Sequence, residues 1–282
     1  MLSVSDLTTY LFCTRKLYLQ RVYEIYDREP REVTFAGTLQ HRILEFVADH
    51  EQNLVISIVS LQDNVEEKYK QLFAKAIRVV LLQEKSTLEK LKMDFIQLYK
   101  NYMQQFEPLF SQKSAAILSC IQEHMVFGVE LWKKLPKIES EYAISSAILE
   151  LRGIVDQIEI KGEDVIPIEI KTSKPPFEGI HEYHKIQLAA YILLLQEKYP
   201  QINYGYLYYV TAYEKRKLVM NPFLKEYVLQ LISDTKKLLS EKILPDYCEN
   251  KKKCESCEIK KYCYDTILIT EKNQKLISIR KL

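Results

Sequence analysis

Cysteines at the two ends of the chain constrain its fold more than any other feature. Cys13 lies near the start of the 282 residues, whereas Cys254, Cys257 and Cys263 form a Cys-x2-Cys-x5-Cys pattern near the end. Four thiolates hold either a zinc ion or an iron–sulfur cluster, and the spacing alone favours neither. The sequence therefore predicts one metal centre that joins the two termini. Cys248 is a fifth thiol close by, either a substitute ligand or a bystander.

The composition is that of a soluble globular protein, with 47% hydrophobic and 28% charged residues. The net charge of +2 indicates no class of partner, because binding nucleic acid requires a local basic face rather than a high total charge. Lys251–Lys253 and Lys260–Lys261 are either such a face or a solvated surface. The sequence shows neither a secretory signal nor a run of about 18 apolar residues, so we expect a cytoplasmic protein without a membrane partner.

The first part of the chain predicts two helices. The first begins at a serine N-cap, runs to about Arg21 and carries Cys13. The second, over about 33–51, carries His41 and Glu45 four residues apart and therefore on one face.

A long helical block is expected next. No glycine occurs between Gly37 and Gly128, and the apolar residues recur with helical periodicity. We expect three helices, with breaks near Ser86 and at Pro108, the only proline of the block. No chemistry is visible in these helices, which indicates a helical insertion.

The pattern changes to that of an α/β core after the block. Strands are expected over 149–160 and 165–171, then a helix over 183–199 and an aromatic strand over 204–210. A further helix over 224–242 leads into the cysteine-rich tail. The order strand, strand, helix, strand predicts a small α/β unit.

The two strands of the hairpin bring a pair of carboxylates together. A turn centred between Gly162 and Glu163 pairs residues whose numbers sum to 325, which places Asp156 opposite Glu169. Cross-strand partners have Cβ atoms about 4.5–5.5 Å apart, close enough for two carboxylates to share a divalent cation. Lys171 lies two residues beyond Glu169 and emerges on the same face.

These residue types suit the hydrolysis of phosphodiester bonds. Carboxylate oxygens bind Mg²⁺ or Mn²⁺, Lys171 can stabilise developing negative charge, and His41 can complete the coordination. The alternative is a surface hairpin with a Glu169–Lys171 salt bridge. Gln187 and Tyr191 share a face of the following helix, and the complete ordered set favours the nuclease hypothesis.

Six motifs follow one another along the chain: the Leu11–Lys16 segment around Cys13, Gly37-x3-His41, Gly153-x2-Asp156, Glu169-Ile170-Lys171, Gln187-x3-Tyr191 and the cysteine pattern of the tail. In this order they resemble the CRISPR-associated Cas-four nucleases, in the RecB-like branch of the PD-(D/E)xK phosphodiesterase superfamily. Two departures stand out: the block over 51–135 is longer than in compact members, and Thr14 stands where many relatives have proline.

The resemblance implies an α/β, restriction-endonuclease-like nuclease core with a helical insertion and an iron–sulfur cluster that joins the termini. It implies a 4Fe-4S cluster on Cys13, Cys254, Cys257 and Cys263, and Mg²⁺ or Mn²⁺ bound by His41, Asp156, Glu169 and the Ile170 carbonyl, with catalysis assisted by Lys171, Gln187 and Tyr191. The expected organisation is N-terminal helices at 1–50, the insertion at 51–135, the RecB-like core at 136–245 and the cluster segment at 246–282.

The activity that the resemblance implies is a metal-dependent DNA exonuclease. It would act 5′-to-3′ on single-stranded or overhanging DNA ends and trim spacer precursors beside the integrase complex of CRISPR adaptation. Two alternatives stay open: a RecB-like repair nuclease outside CRISPR, and a DNA-end-binding accessory protein without catalysis.

Overall fold

The structure is a computed structural model that describes residues 1–241 and 243–279. Lys242, the last residue of one predicted helix, and residues 280–282 of the predicted cluster segment lie outside the described residues. The strands are β1 Leu2–Ser3, β2 Lys137–Ser146, β3 Leu151–Lys161, β4 Asp164–Lys171, β5 Tyr204–Tyr209 and β6 Glu214–Val219. The helices are α1 Val4–Phe12, α2 Thr14–Arg21, α3 Glu32–Ile56, α4 Val65–Gln83, α5 Lys85–Leu91, α6 Phe95–His124, α7 Gly128–Lys134, α8 Glu182–Leu195, α9 Pro222–Glu241, α10 Lys251–Ser256, α11 Lys260–Cys263 and α12 Thr266–Ile279.

The N-terminal segment forms two helices, so the prediction of one continuous helix through Cys13 is wrong. Ser3 caps α1 in a capping box with Asp6, as its residue type favours. Cys13 has an extended backbone, with φ −167° and ψ 116°, and it ends α1 and begins α2. Its thiol accepts a hydrogen bond from the Lys16 backbone N–H at 3.4 Å, in the manner of an N-cap side chain.

The helical block differs from its prediction at Pro108. The expected break near Ser86 is confirmed, because α4 ends at Gln83 and α5 begins at Lys85. The expected break at Pro108 is wrong, because this proline lies inside the 30-residue helix α6. A proline inside a helix costs about 3 kcal/mol through a lost hydrogen bond and a steric clash. Burial of the neighbouring residues Phe106, Leu109 and Phe110 in the core offsets that cost.

The sheet has the strand order β1-β3-β4-β5-β6, and β2 also pairs with β3. The β3–β4 pairs run from Gln157 opposite Ile168 to Lys161 opposite Asp164. Every pair sums to 325, so the predicted hairpin register is confirmed. Strand β5 lies parallel to β4, and α8 is the helical crossover between them.

Two hydrophobic cores cover the two faces of the sheet. The first joins the helical block to Ile168 and Ile170 of β4, whereas the second joins α1, α8 and α9 to Leu207 of β5. Side chains alternate along a strand, so Glu169 lies on the face opposite to Ile168 and Ile170, beneath α8. The helical block therefore packs behind the predicted catalytic strand. None of the helices in the described parts of the chain has the length and apolarity to cross a membrane.

Candidate active site

Glycines let the elements of the site approach one another closely. A Cβ atom on Gly37 of α3 would lie 3.0 Å from Thr172 Oγ1, directly after β4. A Cβ atom on Gly153 of β3 would lie 2.5 Å from the Tyr191 ring of α8. Contacts this short admit only glycine without rearrangement. The two glycines thus bring α3, which carries His41, and α8 against the strands.

The two predicted carboxylates lie together, with His41 beside them. Asp156 Oδ2 accepts a hydrogen bond from the Ile170 N–H at 2.6 Å, which fixes this carboxylate against β4. His41 Nδ1 lies 3.6 Å from Asp156 Oδ1. Glu169 is 2% exposed, and its Oε2 atom is buried without a hydrogen-bond partner. A buried oxygen without a partner is costly, and a bound cation would satisfy it.

Glu169, Lys171 and Gln187 form a hydrogen-bonded triangle. Lys171 Nζ donates to Glu169 Oε1 at 2.8 Å and to Gln187 Oε1 at 2.7 Å. Gln187 Nε2 donates to Glu169 Oε1 at 2.5 Å, and it lies 3.4 Å from the Tyr191 hydroxyl. The structure thus brings together the five residues that were predicted as catalytic, namely Asp156, Glu169, Lys171, Gln187 and Tyr191. The Glu169–Lys171 salt bridge is present, but it is buried rather than at the surface.

Burial shifts the pKa values of Asp156, Glu169 and His41 toward their neutral forms when no cation is bound. Burial raises the pKa of the Glu169 carboxyl, and the nearby Asp156 carboxylate raises it further. Burial also raises the pKa of Asp156. Burial lowers the pKa of His41, which leaves its imidazole neutral at neutral pH. A neutral imidazole and two closely spaced carboxyl groups are suitable ligands for a divalent cation.

We expect the metal-free protein to lose stability as the pH rises from about 4 through the raised pKa values of Glu169 and Asp156. The pKa values of these two carboxyl groups are higher in the folded protein than in the unfolded chain. Deprotonation therefore costs more free energy in the folded state, and the free energy of unfolding falls. The measurement is the Tm over a pH series, with EDTA or with Mn²⁺. Mn²⁺ should raise the Tm more at about pH 8 than at about pH 5, because it competes with protons for the carboxylates. Equal Mn²⁺ effects at both pH values would contradict this assignment.

Glu141 is a third carboxylate at the site, and the sequence reasoning missed it. The β2–β3 register pairs Ser140 with Gln157 and Tyr142 with Val155, which places Glu141 across from Asp156. Glu141 has a φ of +51°, in a region that non-glycine residues rarely adopt. Burial and the carboxylate of Glu45 raise the pKa of Glu141. The sequence does contain a signal for β2, in the residues at every second position: Ile138, Ser140, Tyr142 and Ile144. A strand predicted from this pattern would have included Glu141.

Five cysteines line one pocket at the junction of α1 and α2 with the C-terminal segment. They are the four predicted cluster ligands and Cys248, namely Cys13, Cys248, Cys254, Cys257 and Cys263. Arg15 is buried between them and the tail: its Nε donates to Cys263 Sγ at 3.3 Å, and its Nη1 donates to the Pro245 carbonyl at 2.6 Å. The structure thus brings Cys13 to the C-terminal cysteines.

The side chains around the pocket fit a negatively charged, thiolate-bound centre. All its cysteines are free, and burial raises the pKa of the Cys13 and Cys257 thiols. Arg15 and lysines at positions 16, 253 and 260 line the same pocket, and their charge favours thiolates. Within residues 1–241 and 243–279, no group of three His, Cys, Asp or Glu side chains is already arranged to hold a metal ion. This applies both to the cysteine pocket and to the carboxylate site.

Part of the basic tail is occupied by contacts with the N-terminal segment. Lys253 Nζ donates to the Leu11 carbonyl at 3.0 Å, and Lys261 lies 3.6 Å from Asp27. These lysines hold the two ends of the chain together, which leaves a smaller basic surface than the sequence indicates.

Comparison with known proteins decides the family. The family model described as the PD-(D/E)XK nuclease superfamily matches residues 1–264. The chain belongs to this superfamily. In this PD-(D/E)XK nuclease, Asp156 supplies the aspartate of the superfamily name and Glu169-Ile170-Lys171 supplies its (D/E)XK run, whereas Val155 stands in place of the proline. The structure has the expected mixed sheet with helices on both faces, and the prediction of this fold is confirmed.

Three curated relatives resemble part of the nuclease. A CRISPR-associated exonuclease Cas4 of Thermoproteus tenax is 29% identical over 132 residues, which are 46% of this chain and 68% of that protein. A CRISPR-associated exonuclease Cas4/endonuclease Cas1 fusion of Geobacter sulfurreducens and a CRISPR-associated exonuclease Cas4 of Rhodospirillum rubrum are each 28% identical over 123 residues, or 43% of this chain. These matches span only 22% and 37% of the latter two proteins.

A solved structure, that of SSO0001, also aligns with the nuclease. It is 17% identical, with a TM-score of 0.31, and the alignment covers 84% of this chain and 97% of that one. A TM-score this low supports no conclusion about this protein.

Proposed function

We propose that this protein is a divalent-metal-dependent DNA exonuclease that acts in the cytoplasm on single-stranded or overhanging ends. The observation that supports it best is the convergence of Asp156, Glu169 and Lys171 in a protein of a nuclease superfamily. The unpartnered Oε2 of the buried Glu169 is the atom that most requires a cation.

Four groups would hold the Mg²⁺ or Mn²⁺ ion: the carboxylates of Asp156 and Glu169, the Ile170 carbonyl and the His41 imidazole. When bound, the ion would polarise the scissile phosphate and lower the pKa of a bound water. Asp156 is positioned by its hydrogen bond from Ile170, and His41 is held beside it by the close approach of α3. These contacts orient the ligands before a substrate arrives, which lowers the reorganisation needed for catalysis.

Lys171 would act on the phosphate and the attacking water. Its ammonium group supplies positive charge next to the two carboxylates, where negative charge develops on the phosphate oxygens during attack. The Gln187 side-chain oxygen accepts a hydrogen bond from Lys171 Nζ and holds the direction of the ammonium group, while Tyr191 packs against Gly153 and supports Gln187. We assign Gln187 and Tyr191 to positioning Lys171 and the substrate.

The cysteine pocket would hold the 4Fe-4S cluster on Cys13, Cys254, Cys257 and Cys263. The cluster would serve as a covalent link between the N-terminal helices and the C-terminal segment. The positive side chains of Arg15 and the neighbouring lysines support this assignment over a neutral pocket of unrelated thiols.

The names of the relatives support the proposed substrate and partner. Their names describe Cas4 exonucleases, one of them fused to the endonuclease Cas1, so we place this protein in CRISPR adaptation, trimming spacer precursors beside the integrase complex. By the same resemblance we propose 5′-to-3′ polarity. A repair nuclease outside CRISPR would degrade the same ends without any effect of the integrase complex.

The test is digestion of end-labelled oligonucleotides by protein purified without oxygen. With Mn²⁺ or Mg²⁺, we expect degradation of single strands and overhangs from the 5′ end, and little attack on a blunt duplex at matched salt. Adding the integrase complex of the same genome should halt trimming at a defined overhang length. DNA binding without cleavage would instead identify an end-binding accessory protein, and equal rates on blunt and single-stranded DNA would contradict the proposed substrate.

A further inference from the structure

The cysteine pocket contains one thiol more than a four-ligand centre needs. Cys248 lies between α9 and α10, outside any helix. Its thiol lines the same pocket as the Cys13 and Cys254 thiols, and its interaction with each of them raises the pKa of that thiol. Cys248 Sγ donates a hydrogen bond to the Asn250 carbonyl at 3.8 Å. The Cys254 thiol also lies 3.6 Å from the Cys248 carbonyl. Cys248 thus lies beside two predicted ligands that come from opposite ends of the chain.

The other two predicted ligands have different surroundings. Cys263 accepts a hydrogen bond from the buried Arg15, and Cys257 lies near Lys16 and the buried Ile259. Cys257 and Cys263 also pack against the small core around Ile259. They are fixed by the fold on one side of the pocket, whereas Cys248 lies on the side of Cys13 and Cys254.

We infer that Cys248 is a reserve ligand of the metal centre, able to occupy the position of Cys13 or Cys254 when either thiol is lost. This inference rests on the proposed iron–sulfur cluster. A thiol that lines the same pocket as the ligands needs only a small displacement to replace one of them, and the irregular segment around Cys248 opposes that displacement less than a helix would. Cys257 and Cys263 are instead packed against the core around Ile259, so we expect that Cys248 cannot replace them in this way.

The test measures iron and sulfide per chain, with visible absorbance, in full-length variants purified without oxygen. We expect Cys254→Ser and Cys13→Ser to retain the cluster, and Cys257→Ser and Cys263→Ser to lose it. Cys248→Ser alone should retain it, but combining that change with Cys254→Ser or Cys13→Ser should remove it. Cys120→Ser, which changes a cysteine outside the pocket, is the matched control.

Alkylation of native protein, mapped by mass spectrometry, gives a second readout that requires no loss of the cluster. Cys248 should be modified in the wild type and protected in Cys254→Ser. Loss of iron from folded Cys254→Ser and Cys13→Ser, retention of iron by the double variants, or modification of Cys248 in iron-loaded Cys254→Ser would each overturn the inference. Wild-type protein without iron would instead refute the proposed cluster and the inference together.

Discussion

Replacing Glu169 with glutamine should abolish cleavage and, at the same time, stabilise the metal-free protein. Glutamine keeps the shape and one carbonyl oxygen, so the hydrogen bonds from Lys171 and Gln187 to that oxygen can remain. It removes the charge that would bind the cation, and we expect cleavage to fall by about 10³-fold or more. It also removes a buried carboxylate whose Oε2 has no partner, which should raise the free energy of unfolding by about 1–3 kcal/mol above neutral pH.

Two further variants complete this experiment. Asp156→Asn should lose cleavage similarly, because it removes the second carboxylate while keeping an oxygen for the Ile170 N–H. Glu159→Gln is the matched control. Glu159 lies on β3, as Asp156 does, but its side chain lines a cavity beneath the helical block. Activity should be measured on end-labelled single strands with Mn²⁺, and stability by denaturant unfolding in EDTA. Wild-type cleavage by Glu169→Gln would rule out the carboxylate pair as the catalytic site.

The β3–β4 hairpin of the candidate site could be predicted from the sequence because its determinants are local. Gly162 has a φ of +63° at the turn, a conformation that glycine adopts without strain. Once the turn is fixed, the register follows by counting, and the opposition of Asp156 and Glu169 follows from the register. Lys171 shares the face of Glu169 through the same alternation, so the convergence of these three side chains needs no long-range information.

The features that could not be predicted depend on tertiary contacts. Pro108 stays inside a helix because the surrounding aromatic residues are buried by partners distant in sequence. The helix break at Cys13 carries no glycine or proline signal, and the thiol itself takes the capping role. Glu141 comes opposite Asp156 only once β2 has paired with β3.

The cysteine pocket lies between these two cases. Residue types and spacing predicted that Cys13 would meet the tail, because a metal centre with four thiol ligands offers few other arrangements. They did not specify which tail thiol lies beside it. In the structure that neighbour is Cys248, which the spacing left as a bystander or substitute.

Replacing Lys171 with methionine should separate turnover from metal binding. Methionine fills much of the same volume without charge, and the lysine is hydrogen-bonded to both Glu169 and Gln187. If Lys171 stabilises charge on the phosphate, cleavage should fall by about 10²–10³-fold at saturating Mn²⁺. Above neutral pH, where Glu169 is ionised, the metal-free protein should also be destabilised, because the buried Glu169 carboxylate loses the ammonium group that compensates it. Mn²⁺ replaces that compensation, so it should raise the Tm of Lys171→Met at least as much as that of the wild type.

Lys161→Met is the matched control for this variant, since Lys161 is exposed at the turn end of the same hairpin. It should leave both cleavage and the Mn²⁺-dependent rise in Tm unchanged. Thermal unfolding over a Mn²⁺ titration, with single-turnover cleavage of an end-labelled strand, distinguishes the two roles. If Lys171→Met lost the Mn²⁺ effect on Tm but recovered full cleavage at high Mn²⁺, the lysine would serve to assemble the metal site. The proposal that Lys171 stabilises charge in the chemical step would then be wrong. The cation alone would have to stabilise the charge on the phosphate.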